Sequence, residues 1–125
     1  MKSLTFMVVD DSNITIKKIS KMLEDLGHQV VCCANTGQEA VNHYLTYKPN
    51  IITMDITMPD MDGIEATKRI IEKDKNAIIV IVTAHGQEQM VIEAIDAGAK
   101  GYVLKPVKIE KLKEHIENIY KKYGN

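Results

Sequence analysis

Five short apolar runs divide the chain, and each is followed by a longer stretch whose apolar residues recur every three or four positions. The runs cover residues 4–9, 29–33, 51–54, 77–82 and 101–104. They are nearly unbroken in Val, Ile, Leu, Met and Cys rather than alternating with polar residues, which is the pattern of strands buried on both faces. Between them, Ile16, Ile19, Leu23 and Leu26 form one stripe over 12–26, and Ile109, Leu112, Ile116, Ile119 and Tyr123 form another over 108–123. That spacing predicts amphipathic helices. Weaker stripes predict helices over 36–47, 64–73 and 87–97.

Punctuation agrees with these boundaries. Ser12 and Thr36 are placed to cap helices, and Thr36 has Glu39 three residues on, as in a capping box. Gly27 and Gly98 fall where helices should end in the left-handed conformation. Pro49 separates the second helix from the third strand. Strict alternation of strand and helix implies parallel strands joined by right-handed crossovers. The predicted class is therefore α/β, a five-stranded parallel sheet, doubly wound, in one domain over 1–125. No internal repeat, linker or low-complexity stretch interrupts it.

In such a sheet, ligands bind beyond the carboxyl ends of the strands. The residues there are Asp10 and Asp11 after the first run, Asp55 after the third, Thr83 after the fourth and Lys105 after the fifth. Each alone has an ordinary reading: a helix cap, a turn former, a surface charge. Together they are restrictive. Three clustered carboxylates repel one another and need a cation or a retained proton. Oxygen ligands without His or Cys suit a hard ion, with Mg²⁺ the natural candidate. A lysine and a hydroxyl beside them suit a doubly charged phosphoryl group, and an aspartate can itself be the nucleophile.

Composition changes this picture little. Hydrophobic residues make up 45% of the 125 residues and charged residues 26%, the balance of an ordinary globular domain. Net charge is −1, so no strong field attracts nucleic acid or an anionic membrane. Lys111, Lys113, Lys121 and Lys122 make the last helix locally basic, which reads as a solvated face. The two cysteines, Cys32 and Cys33, are adjacent and poorly placed to bridge; the expectation is two small buried hydrophobes in a reducing compartment. No apolar run approaches the ~20 residues of a membrane span, and 1–4 lack a signal-peptide pattern, so a cytoplasmic protein is expected.

The motifs Asp10-Asp11, Met54-Asp55-Ile56-Thr57-Met58-Pro59-Asp60-Met61-Asp62-Gly63, Thr83-Ala84 and Lys105-Pro106, in this order and spacing, resemble the receiver domains of two-component response regulators across essentially the whole chain. Residues 54–59 and 86–100 resemble the single-domain chemotaxis regulators of Gram-positive and thermophilic bacteria. The resemblance implies a flavodoxin-like, CheY-like sheet of order 2-1-3-4-5, a topology for which this family is a standing example. It implies Asp55 as phosphoacceptor. Asp11 and Asp55 would ligate Mg²⁺ directly, with Asp10 acting through water or by positioning and the Thr57 backbone carbonyl as a further ligand. Lys105 would contact the phosphoryl oxygens and pair with Asp55 beforehand. Thr83 would turn toward the phosphoryl group while Tyr102, the switch aromatic, moves inward, changing the face made by the fourth helix, fifth strand and fifth helix. Lys105–Pro106 would be cis.

The implied partners are a CheA-like sensor histidine kinase and a downstream protein such as a flagellar motor switch or a phosphotransfer protein, with no nucleic acid and no membrane insertion. The chain would be a monomer, with dimerisation open on phosphorylation. Thr57 and His85 occupy variable positions that tune water access, with His85 read as a modulating loop side chain, and Val107 stands where the family usually has Phe. Two variants remain open: a phosphorelay intermediate, or a receiver cut from a larger transcriptional or cyclase regulator. A Mg²⁺-dependent phosphatase is disfavoured. Such an enzyme carries an acid/base two residues after its nucleophile, where this chain has Thr57, and no insert forms a substrate pocket.

Overall fold

The computed structural model describes residues 2–124. Met1 and Asn125, the ends of the expected 1–125 domain, lie outside them. The elements are β1 (Thr5–Val9), α1 (Asn13–Asp25), β2 (Gln29–Ala34), α2 (Gly37–Tyr47), β3 (Ile51–Met54), α3 (Gly63–Lys73), β4 (Ile79–Thr83), α4 (Glu88–Asp96), β5 (Gly101–Leu104) and α5 (Ile109–Tyr123). The strands pair in parallel in the order β2-β1-β3-β4-β5. The order expected from the resemblance is thus observed.

Strand periodicity sorts side chains to the two faces of the sheet. Met7 and Val9 of β1, Ile52 and Met54 of β3, and Ile79 and Ile81 of β4 join α2, α3 and α4 in one apolar cluster. Leu4, Phe6, Val8, Ile51, Val80 and Val82 join α1 and α5 in the other. Two cores on one sheet explain why the central runs read as unbroken.

The helix ends follow their capping residues. The Ser12 hydroxyl accepts from the Thr15 N–H at 3.3 Å, and the Thr36 hydroxyl accepts from the Glu39 N–H at 3.1 Å. Glu39 returns the favour one residue outside the cap, accepting from the Asn35 N–H at 2.9 Å. Gly27 and Gly98 take φ of 93° and 113°, ending α1 and α4 as expected. Lys105–Pro106 is cis.

Three expectations are corrected. Cys32 is only half-buried and Cys33 is exposed, because β2 is an edge strand covered on one side by β1 alone. The two thiols are free. β5, the other edge, leaves Leu104 52% exposed, so continuous burial holds for β1, β3 and β4 and fails at the margins. In α5 the outermost aromatic of the stripe is Tyr120, which packs on the α1/α5 cluster, while Tyr123 lies exposed in the last turn. Val107, in place of the usual Phe, packs against the same cluster. The α5 lysines are exposed, as expected.

Thr53 is 1% exposed in the centre of β3, and its hydroxyl has no hydrogen-bond partner among the described residues. A buried unpartnered hydroxyl costs about 1–3 kcal/mol. Thr53→Val, which keeps the shape, is expected to raise unfolding stability by about 1 kcal/mol in urea titration; a loss of stability would show that the hydroxyl has a partner after all.

Candidate functional site

The sheet order decides which strand ends meet. β1 and β3 are neighbours, with Val9 opposite Met54, so the residues that follow them, Asp10 and Asp55, emerge side by side. Backbone bonds extend the ladder past the strands: the Asp55 N–H donates to the Val9 carbonyl at 3.0 Å, and the Asp10 N–H to the Ala34 carbonyl at 3.1 Å. On the other flank, the Lys105 N–H donates to the Thr83 carbonyl at 2.8 Å. Two strands away from Asp55 in the sheet, Lys105 reaches back across the end of β4 with its long side chain.

Asp10, Asp11 and Asp55 bring carboxylate oxygens within 4.8 Å of one another. Asp10 and Asp55 are buried and Asp11 is exposed. Lys105 Nζ donates to Asp10 Oδ2 at 2.8 Å and lies 3.6 Å from Asp55 Oδ2. The lysine thus pairs with Asp55, as expected, and is bonded more closely to Asp10, a partner the sequence did not indicate. Asp10 Oδ1 accepts from the Ser12 N–H at 2.9 Å, so both oxygens of Asp10 are engaged. Asp55 Oδ1 accepts from the Ile56 N–H at 2.9 Å, whereas Oδ2 accepts no hydrogen bond among the described residues. Burial first, and then the Asp10 charge, hold the Asp55 carboxyl above the usual carboxylate range against the opposing pull of Lys105 and the Ile56 amide.

One lysine does not neutralise three carboxylates. The cluster offers only hard oxygen donors and an excess of negative charge, two of its members withdrawn from water. That set fits a small divalent cation with oxygen preference.

Thr83 is fully buried at the end of β4, between the Asp55 and Lys105 strands. His85, two residues on, is a junction. Its N–H donates to the Thr83 hydroxyl at 3.2 Å, its ring Nε2 lies 3.1 Å from Thr57 Oγ1, and its carbonyl accepts from the Tyr102 hydroxyl at 2.6 Å. Beyond the modulating side chain expected of His85, its backbone links Thr83 to Tyr102. Backbone contacts carry no residue signature, so no sequence signal marks them. Thr57 itself stands in the loop leaving Asp55, its side chain exposed.

A family model for the response regulator receiver domain matches residues 6–117. The chain belongs to this family. It is 42% identical to the chemotaxis protein CheY of Thermotoga maritima over 115 residues, covering 92% of this chain and 96% of that protein. Its structure is similar to that of the CheX–CheY–BeF₃–Mg²⁺ complex of Borrelia burgdorferi, with a TM-score of 0.90 and 35% identity over 93% of this chain and 88% of that one. It is equally similar to a LuxR-family response regulator of Aurantimonas, with a TM-score of 0.92 and 36% identity over 96% and 86% of the two chains. Receiver domains serve two-component signalling as signalling proteins, not as dedicated enzymes, and bind Mg²⁺ at an acidic pocket. Among the described residues no helix is long and apolar enough to cross a membrane.

The receiver cluster carries a stability cost that can be measured. Because the folded-state pKa of Asp55 is raised, its contribution to stability is fully present below the unfolded value near 3.8 and is lost as pH rises through the folded value. At neutral pH the ionised side chain therefore opposes folding. Asp55→Asn is expected to stabilise the metal-free chain at pH 7 by about 1–2 kcal/mol, the ordinary scale of a single buried substitution. The gain should shrink as pH falls toward 4. Urea titrations of both chains across this range check it, and a destabilised mutant at pH 7 would mean the cluster is already neutralised.

Proposed function

We propose that residues 1–125 act as one receiver that accepts a phosphoryl group on Asp55 and thereby switches a partner-binding surface, in chemotaxis. The observation that carries the phosphoacceptor reading is Asp55 Oδ2, which accepts no hydrogen bond among the described residues and lies 3.6 Å from Lys105 Nζ. In the proposed transfer Asp55 Oδ2 attacks the phosphorus of a phosphohistidine on a CheA-like sensor kinase. The new O–P bond forms as the P–N bond breaks, and its electron pair returns to the imidazole. Lys105 shifts from Asp10 toward the incoming oxygens and offsets their charge. Asp11 and Asp55 would hold Mg²⁺ directly, with Asp10 acting through water or by positioning and the Thr57 carbonyl as a further ligand. Bound there, the ion would supply positive charge against the transferring oxygens. Hydrolysis of the aspartyl phosphate at the same site resets the receiver, with Thr57 and His85 standing where water must approach.

The switch follows from the His85 junction. The Thr83 hydroxyl accepts from the His85 N–H in the resting state. Phosphorylation adds acceptor oxygens and charge at Asp55. Thr83 turns to donate to them, and Tyr102 leaves its bond to the His85 carbonyl for the space vacated. Ile92 and Ile95 of α4 and Leu104 of β5 are 45%, 49% and 52% exposed, an apolar set on the α4-β5-α5 face that a downstream protein can cover. The near full-length match to the Thermotoga CheY supports a chemotaxis target such as a flagellar motor switch. The equal likeness to the LuxR-family regulator supports the alternative, a receiver serving a larger transcriptional regulator.

Beryllofluoride, a mimic of the aspartyl phosphoryl group, tests the switch. Amide NMR shifts at Asp55, Thr83, His85, Tyr102 and α4 are expected only when Mg²⁺ is present, and none in Asp55→Asn. A wild-type chain that does not respond would end the phospho-switch reading.

A further inference from the structure

The loop from Asp55 to α3 is held down at a point that the transfer chemistry does not use. Asp60 lies at the outer part of this loop, exposed to solvent. Its carboxylate nevertheless spans to another helix: Oδ1 accepts from the Gly37 N–H at 2.8 Å and Oδ2 from the Gln38 N–H at 2.9 Å. These are the first two amides of α2, which have no partner within the helix. Thr36 satisfies the third, Glu39, from within the local sequence. The start of α2 is thus capped twice, once by its own Thr36 and once by an aspartate more than twenty residues away. The Gln38 amide first, and then that of Gly37, hold the Asp60 carboxyl below the usual carboxylate range.

The rest of the loop is pinned as well. At its base the Gly63 N–H donates to the Ile56 carbonyl at 2.8 Å, and a side chain at Gly63 would collide with the Asp55 carbonyl oxygen. A side chain at Gly37 would run into Met61, so the loop lies directly on the first turn of α2. Residues 57–62 are therefore closed at one end by the sheet and at the other by α2, with Thr57 between the two anchors.

We infer that Asp60 is a positioning residue that latches the phosphoacceptor loop to the N-terminus of α2, setting the placement of the Thr57 carbonyl and linking occupancy of the acidic site to α2. The inference rests on the proposed Mg²⁺-binding function. Coupling of this kind is reciprocal: if the latch favours the cation-binding loop geometry, the cation favours the latch. The chain then carries a second responsive place, at α2, on the opposite flank of the site from α4 and β5.

The test compares Asp60→Ala with Thr36→Ala. Both remove a cap from the same helix end, but only the first releases the loop. Mg²⁺ titrations followed by amide NMR are expected to give a dissociation constant about tenfold larger for Asp60→Ala, the usual effect of losing a group that orients a ligand, and an unchanged constant for Thr36→Ala. In the wild type, saturating Mg²⁺ is expected to slow hydrogen exchange at the Gly37 and Gln38 amides; Thr36→Ala keeps this response and Asp60→Ala loses it. Equal Mg²⁺ affinity in Asp60→Ala and the wild type would reduce Asp60 to a helix cap and overturn the inference. Equal weakening in both variants would do the same, since it would trace to α2 stability alone. A wild type that binds no Mg²⁺ at all would overturn the functional reading and the latch together, and is told apart from the other outcomes by the wild-type titration itself.

Discussion

Uncompensated negative charge at one edge of an otherwise apolar sheet is the constraint around which this molecule is organised. Asp10 and Asp55 are buried together, Asp11 joins them at the surface, and a single lysine stands against the three. Such a cluster opposes folding, and it is tolerated because the two cores beneath it are extensive: every residue of β3 and β4 is buried. The same imbalance is what fits the site to a divalent cation. Stability and responsiveness are set against each other at Asp55.

The resting hydrogen bonds show how the site is kept ready. Asp10 engages both its oxygens and takes the lysine, which leaves Asp55 with one oxygen unbonded. Asp10 thereby holds Lys105 within 3.6 Å of Asp55 Oδ2. The backbone of His85 then ties Thr83, buried beside the site, to Tyr102 at the sheet edge. Thr83 and Tyr102 are thus joined through the backbone of one residue in a well-packed domain.

The margins of the sheet behave differently from its centre. β2 and β5 have one neighbour each, so their apolar residues are only partly covered. At β5 this leaves Leu104 exposed and Tyr102 half-buried, and Ile92 and Ile95 of α4 are exposed as well. Surface that the sheet cannot cover by itself is the surface available to another protein. At β2 the same geometry leaves Cys33 in solvent, where burial was expected.

The sequence by itself determined the alternation of strands and helices, their ends to within a residue or two, and the set of polar residues at the strand ends. Those signals are local: periodicity, capping residues and glycines act over a few positions. The strand order, the family and the cis bond at Pro106 were legible through motif resemblance. Partner choice belonged to the tertiary structure. Lys105 and Asp10 are far apart in the chain, and which of two neighbouring carboxylates the lysine favours depends on sub-ångström placement that no spacing encodes. The same holds for Tyr120 packing where Tyr123 was expected, for the backbone contacts of His85, and for Asp60 reaching the amides of α2. Each is settled by how separate elements dock, because a side chain's chemistry says what it can bond to and only the packed fold says what is within reach.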